Sequence, residues 1–360
     1  MTDVQQRPAA ADPDKQSEFM FRVVTEVGAT LNTALVVMGD KLGYYRAMVA
    51  SGPTTAARLA DDTNTDEHYT REWLNAQAAG GYVDYDAADG RYWLPPEQAA
   101  ILTDESSPAY LAGIFQSTLG VLQDAYTVID IARGGSGLGW HERHTDVHDG
   151  TERFFRPLYR ASLVGEWLPA LDGVVDKLER GARVADVGCG LGASTILMAR
   201  AFPRSTFMGS DYHHASIEQA RIKAEAAGVA DRVSFEVAPA QGFSGSDYDL
   251  VTTFDALHDM GDPVGAARHV RSALASDGTW MVVEPYAGDR VEDNLTPVGR
   301  VYYGASTLLC TPAALAQDVG LALGTQAGPA RLRDVVTAGG FSRFAAVFET
   351  PFNMVLEVRP

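Results

Sequence analysis

Apolar residues recur at helical spacing from Phe19 to Met48, through Phe21, Val24, Val27, Leu31, Ala34, Leu35 and Met38, which predicts a long helical stretch. Residues 1–16 before it are polar, contain proline and show no period, so a disordered tail is expected there. Pro53-Thr54 opens a short helix to Ala60, and Asp66 opens another to Ala79. The period then changes: Tyr82–Tyr85 and Arg91–Leu94 read as a hairpin turning at Ala88-Asp89-Gly90. Residues 106–133 return to helical spacing with Tyr110, Leu111, Ile114, Phe115 and Leu119, and Gly134-Gly135-Ser136-Gly137 ends that region as a connection between domains.

Beyond it, strands and helices alternate. Val184–Val187 is an apolar run with Asp186 inside it, as a strand buried on both faces requires. Gly188, Gly190 and Gly192 supply a tight turn without Cβ atoms, and Ala193–Phe202 continues as a helix that stops at Pro203. Strands follow at Thr206–Ser210, ending at Asp211, and at Val233–Val237, Asp249–Phe254 and Thr279–Glu284, with a helix over Asp262–Leu274. A helix near Arg331–Ala338 precedes two β-rich runs, Phe344–Glu349 and Asn353–Val358, separated by Pro351. This order predicts a doubly wound α/β sheet finished by a β-hairpin. Strand, glycine turn and helix N-terminus together describe a nucleotide-type cofactor site. Gly188-x-Gly190-x-x-Ala193 also fits the loose dinucleotide fingerprint. Asp186 tips the balance towards S-adenosylmethionine, because dinucleotide folds usually carry an apolar residue there. Asp211 is placed for both ribose hydroxyls, a role an NAD site would share.

Taken with the downstream order, these features resemble the class I S-adenosylmethionine-dependent methyltransferases, with their Rossmann-like sheet, over roughly Val184–Pro360. A closer kinship lies in Leu257-His258-Asp259-Met260-Gly261-Asp262, which is similar to the L-H-D-W-x-D run of small-molecule O-methyltransferases from plant-phenolic and bacterial polyketide pathways. The resemblance implies S-adenosylmethionine as cofactor, His258 as general base and Glu284 as the acid that orients it. Asp259 is a further catalytic candidate beside an ordinary helix-capping role, which Asp262 shares. For the cofactor it implies Asp186, Gly188, Gly190, Gly192, Asp211, Tyr212, Ala240, Phe254 and Asp255. Two departures stand out: Met260 replaces the usual tryptophan, and Val237–Gln241 lacks the aspartate that usually faces the adenine amino group. Helix, helix and hairpin in the first half form a winged-helix pattern, and the same O-methyltransferases carry such a domain, which dimerises and covers the substrate pocket.

The chemistry accounts for these residue types. Methyl transfer is an in-line displacement, and aligning its partners supplies roughly 7 to 11 kcal/mol. A phenol is a poor nucleophile at neutral pH, so a nearby base adds about 10² to 10⁴. Histidine suits that task, and a carboxylate on its other nitrogen fixes the tautomer. The acceptor is expected to be a small aromatic or polyketide-like hydroxyl compound, with Tyr303, Ser306 and Tyr44 as substrate-facing candidates. Phe19, Phe21 and Tyr45 are weaker candidates of the same kind. Alternatives are transfer to carbon or nitrogen, a cofactor-retaining enzyme that moves no methyl, and a winged-helix transcriptional regulator.

Charge argues against the regulator. Residues 54–97 hold three basic side chains, Arg58, Arg71 and Arg91, against nine acids that include Asp66, Glu67, Asp84, Asp86 and Asp89. With a net charge of −18 that face repels phosphate, so no nucleic-acid partner is expected. His141, His144 and His148 lack the cysteine pairing or H-E-x-x-H helix of a zinc site, so a polar linker over the active site is expected there and no metal. Cys189 and Cys310 make no disulfide framework. Asp40, Lys41 and Arg46 interrupt the most apolar stretch, so no membrane span is expected. The expected organisation is a 1–16 tail, a helical winged domain over 17–150 and a cofactor-binding catalytic domain over 151–360, in a cytoplasmic homodimer.

Overall fold

The computed structural model describes residues 11–360, so residues 1–10 of the expected tail lie outside the described residues. The chain divides between Asp104 and Glu105 into two units.

The first unit runs α1 (Pro13–Lys41), α2 (Tyr44–Ser51), α3 (Ala56–Thr63), α4 (Glu67–Ala79), β1 (Asp84–Asp86), β2 (Arg91–Trp93) and α5 (Pro96–Leu102). Residues 13–16, expected in the tail, are helical instead, because Asp12 accepts the N–H groups of Asp14 and Lys15 and so caps α1. The stretch from Phe19 to Met48 is two helices, broken where Gly43 takes φ 75°. Asp66 accepts from the N–H groups of His68 and Tyr69 and caps α4, the helix expected from it. The core gathers on Trp73, which meets Tyr44 at 4.7 Å and Tyr45 at 5.1 Å between ring centroids. Its Nε1 donates to the Leu35 carbonyl at 2.8 Å. A Cβ on Gly39 would lie 2.4 Å from the Trp73 ring, so only glycine lets α1 approach so closely.

Contrary to expectation, α1 is long and apolar enough to cross a membrane by length and composition, since Val27–Gly39 carries no charge. Phe19, Phe21, Val24, Val27 and Leu31 are exposed along it.

The second unit opens with α6 (Ala112–Gln123), α7 (Ala125–Gly134), α8 (Thr145–Ser162) and α9 (Val174–Arg180). The alternating part follows: β3 (Arg183–Val187), α10 (Ala193–Ala201), β4 (Thr206–Asp211), α11 (His214–Ala226), β5 (Val233–Val237), β6 (Tyr248–Phe254), α12 (Pro263–Ala273) and β7 (Leu274–Pro285). It ends with α13 (Pro297–Ala305), α14 (Thr311–Leu315), α15 (Gly328–Ala338), β8 (Arg343–Glu349) and β9 (Asn353–Arg359). Helices α6 and α8 belong here, although the boundary expected from the sequence falls after residue 150. The reason is close packing without side chains: a Cβ on Gly150 would lie 2.3 Å from the Ser117 nitrogen, and one on Gly113 2.5 Å from that of Phe154.

The seven-stranded sheet has the order β5-β4-β3-β6-β7-β9-β8. Strands β5 to β7 are parallel, and the β8–β9 hairpin joins antiparallel to β7. The chain leaves β3 for β4 on one side and later returns to β6 on the other. A ligand crevice forms at such a switch point, beyond the carboxyl ends of the strands.

Candidate active site

The turn after β3 is made of backbone. Gly188, Gly190 and Gly192 take φ of 76°, 52° and 78°, where an L side chain is strained. A Cβ on Gly190 would meet nothing within 4 Å, because that position opens onto the cavity. One on Gly192 would lie 2.9 Å from the Phe235 ring and 3.0 Å from the Ala220 Cβ, so this glycine serves packing. Asp211, at the end of β4, braces the turn: Oδ2 accepts the Gly190 N–H at 3.0 Å and Oδ1 the His213 N–H at 2.8 Å.

Asp186 holds the same region from below. Its carboxylate accepts from the hydroxyls of Ser194 (2.7 Å), Thr195 (2.6 Å) and Thr252 (3.0 Å), tying β3 to β6 and to the first turn of α10. Burial raises its pKa and the three hydroxyls oppose that rise. It is 1% exposed and absent from the cavity wall.

The cavity itself has a volume of about 720 Å³. Gly188, Gly190, Asp211 and Tyr212 line one end, Ala240 the loop after β5, and Phe254, Asp255 and Asp259 the end of β6. The lining also includes His148, Thr151, Glu152, Phe155 and Tyr159 of α8, together with Trp140. Glycine backbone beside a braced carboxylate fits a nucleoside-bearing cofactor, and the volume is within the range of small-molecule sites.

The β6 end is built from paired side chains. Asp255 has a left-handed backbone, φ 48°, held by its N–H on the Val283 carbonyl at 2.8 Å. Its carboxylate accepts from Asn353 Nδ2 (2.8 Å) and from the Tyr159 hydroxyl (3.4 Å). Burial, and then the nearby charge of Glu284, push it up to about 8. His258 is 3% exposed and does not line the cavity. Its Nδ1 pairs with Glu284 Oε2 at 2.5 Å, and its Nε2 lies 3.2 Å from Asp259 Oδ1. Burial disfavours its charge, but Glu284 and Asp259 outweigh that and hold it well above the usual histidine range, as imidazolium. Glu284 Oε1 also accepts the Leu257 N–H at 2.9 Å, so the same carboxylate fixes the turn.

The structure thus brings nine of the residues read from the sequence to this cavity: Gly188, Gly190, Asp211, Tyr212, Ala240, Phe254, Asp255, Asp259 and the adjacent Met260. His258 and Glu284 sit directly behind its wall. Asp262 caps α12 by accepting the Gly265 N–H at 2.7 Å, whereas Asp259 caps no α-helix. Three substrate candidates lie elsewhere. Tyr44 is a core residue of the first unit, its hydroxyl 3.1 Å from that of Thr70. Tyr303 is absent from the cavity wall, and so is Ser306, whose Oγ accepts the Thr325 N–H at 3.3 Å. The weaker candidate Tyr45 is spoken for by Gln77 at 2.6 Å.

The histidine run is not a linker. His144 accepts the Asp146 N–H and caps α8, and His148 sits inside that helix. Its ring stacks on His213 at 4.7 Å and meets Trp140 edge-on at 5.0 Å. Burial, and then His213, push it down to about 4, so it is neutral at the cavity. The α8 wall went unread. Its signal is the spacing of His148, Glu152, Phe155 and Tyr159, one face of a helix, obscured by the polar residues between.

Comparison with known proteins agrees with this geometry. Residues 178–319 match the family described as Methyltransferase domain, and residues 30–104 the Rv2258c-like winged HTH domain. A ubiquinone biosynthesis O-methyltransferase from Bordetella avium is 32% identical over 36% of this chain, and the match spans 52% of that relative's length. A mitomycin biosynthesis 6-O-methyltransferase from Streptomyces lavendulae is 26% identical over 68% of this chain and 71% of its own. The human N-acetylserotonin methyltransferase solved with SAM shares the fold, with TM-score 0.68 and 16% identity over 98% of this chain and 99% of that one. The chain carries a methyltransferase domain preceded by a winged one.

Proposed function

We propose that this chain, a methyltransferase by its catalytic domain, moves a methyl group from S-adenosylmethionine to the hydroxyl of a small, aromatic or polyketide-like molecule. The observation that carries the reading is the glycine turn braced by Asp211 at the edge of the cavity. Gly188 and Gly190 let the backbone face the ligand, and Asp211 keeps lone pairs free for the ribose hydroxyls. When bound, the cofactor supplies a methyl carbon activated by a sulfonium charge. The chain's own part is to position the acceptor, exclude water and receive a proton. Phe155, Tyr159 and Phe254 give the cavity an aromatic side suited to a ring.

The general base expected at His258 would need a free nitrogen: Nδ1 is paired with Glu284, and Nε2 lies 3.2 Å from Asp259 Oδ1. In the described arrangement the His258–Glu284–Asp259 set acts as a charged brace for the turn carrying Asp255. The two bacterial relatives, both O-methyltransferases by name, favour oxygen over carbon or nitrogen as acceptor. For the first unit we favour a homodimer contact through the exposed apolar side chains of α1 over membrane crossing or DNA binding. The acids Asp84, Asp86 and Asp89 of the hairpin repel phosphate.

Titration calorimetry with S-adenosylmethionine tests the site. Wild type is expected to bind, and Asp211→Ala to bind about 10- to 100-fold more weakly, from the loss of charged hydrogen bonds. Equal affinity in the two proteins would remove Asp211, and with it the proposed pose, from the reading.

A further inference from the structure

We infer that His258, Asp259 and Cys310 form a site for a divalent cation of the zinc type, which silences methyl transfer by occupying His258 Nε2. The binding stands on the geometry of these residues; the silencing rests on the hydroxyl-transfer reading above, with His258 as its base. The three residues come from two places, the turn after β6 and the π-helical turn Ser306–Cys310 between α13 and α14. Such π-turns occur frequently at functional sites. One donor atom from each residue lies within 4.8 Å of the other two. His258 and Cys310 are buried, and the cysteine is in no disulfide. Asp259 Oδ1 is the clearest pointer: it lies 3.2 Å from Nε2, is buried and has no hydrogen-bond partner. A buried acceptor left in that state is costly, and an ion seated between the two atoms would satisfy it.

The donor set selects the ion. Thiolate, imidazole and carboxylate together suit zinc, whereas magnesium and calcium favour oxygen alone. Zinc holds such atoms at about 2.0 to 2.3 Å, which places neighbouring donors of a tetrahedron roughly 3.3 to 3.8 Å apart. Nε2 and Oδ1 are near that spacing already, and a small rotation of Cys310 brings its sulfur in. The support behind the ring is also built. Glu284 Oε2 meets Nδ1 at 2.5 Å, the outer contact that fixes the tautomer of a ligating histidine. Burial disfavours charge on the ring, yet Glu284 and Asp259 outweigh it, so the field at Nε2 already favours a cation. Burial, and then Asp259, push the Cys310 thiol up to about 12, so it keeps its proton until an ion displaces it. On binding, Nε2 and Sγ each release a proton to solvent and give a lone pair to the ion. Asp259 lines the cavity, so the ion enters there and its fourth position faces the acceptor's space. An ion held in this way leaves His258 no lone pair for a hydroxyl proton.

The experiment uses the full chain, freed of metal with a chelator. Titration with cobalt(II), a spectroscopic stand-in for zinc, is expected to raise a near-ultraviolet thiolate-to-metal band that added zinc abolishes. Cys310→Ala should lack that band and bind zinc about 10- to 100-fold more weakly, since a lost ligand costs no less than a lost outer partner. Radiolabelled transfer from S-adenosylmethionine into a fractionated small-molecule extract gives the second readout. Saturating zinc is expected to lower wild-type transfer by about 10² to 10⁴, the contribution of a base, with cofactor binding retained and the rate restored by chelator. Cys310→Ala removes only a sulfur in a cluster with Val121 and Val147. It should keep most of the basal rate and need about tenfold more zinc for the same loss. Should that variant fail to fold, Cys310→Ser takes its place with the same expectations. A cobalt spectrum without the thiolate band, or one unchanged in Cys310→Ala, would overturn the site. Zinc bound there with transfer unaffected would overturn the silencing. If metal-free wild type binds cofactor yet labels no hydroxyl, the transfer reading fails and the silencing with it, while the cobalt spectrum still decides the site.

Discussion

The two ends of the cavity are built from different materials. At the β3 end the ligand would meet backbone, Gly188 and Gly190 at positive φ, braced by carboxylates that accept from the turn and from the helix after it. At the β6 end it would meet side chains: Asp255 and Asp259, backed by an imidazolium and Glu284 and faced by the aromatic residues of α8. The first construction suits a ligand that never changes, because backbone cannot be varied by substitution. The second suits whatever differs between members of a fold, namely the acceptor and its proton handling.

The contrast can be broken most forcefully at Gly192. Valine there must hold φ near 78° and push against Phe235 and Ala220. Backbone strain and overpacking together are expected to cost about 2 to 4 kcal/mol, read as a lowered denaturation midpoint, with cofactor binding lost. A variant as stable as wild type would show that the turn is softer than its geometry implies.

At the other end, Asp255 makes stability depend on pH. Its folded pKa, about 8, lies above its unfolded value, so the native state holds the proton more tightly. Its protonated form therefore favours folding fully below the unfolded pKa, and that contribution declines as pH rises to about 8. Asp255→Asn is expected to melt higher than wild type at alkaline pH and to approach it in acid. A melting difference that stayed constant across pH would show that Asp255 does not titrate there. The His258 pair has its own window: its raised pKa adds stability at neutral pH and loses it only on the alkaline side. Subtracting His258→Gln profiles therefore separates the two groups.

The smallest effect is expected at Tyr303. Its side chain is absent from the cavity wall, so Tyr303→Phe should change kcat/KM by less than about twofold. A tenfold loss would mean that the acceptor reaches beyond the cavity described.

What the sequence shows and hides follows the same division. The glycine turn, the strand carrying Asp186 and the acid at Asp211 were legible, because local backbone needs dictate those residues within a short span. So was the whole parallel sheet, whose strands are short apolar runs between turn residues. The α8 wall was hidden, because His148, Glu152, Phe155 and Tyr159 meet the cavity only through the packing of that helix across α6. Tyr44 misled for a related reason: an aromatic after a glycine turn looks accessible, and only the tertiary fold reveals Trp73 against it. The motif tied His258 to Glu284, which its Nδ1 meets, yet nothing in the motif says that Asp259 Oδ1 lies 3.2 Å from the second nitrogen.

The most direct measurement is transfer of radiolabelled methyl from S-adenosylmethionine into a fractionated small-molecule extract, with the labelled atom located by NMR. Label on the oxygen of a small aromatic or polyketide-like compound is the result expected from this cavity. Label on carbon or nitrogen, or none above a protein-free control despite normal cofactor binding, would contradict hydroxyl methylation as the chain's activity.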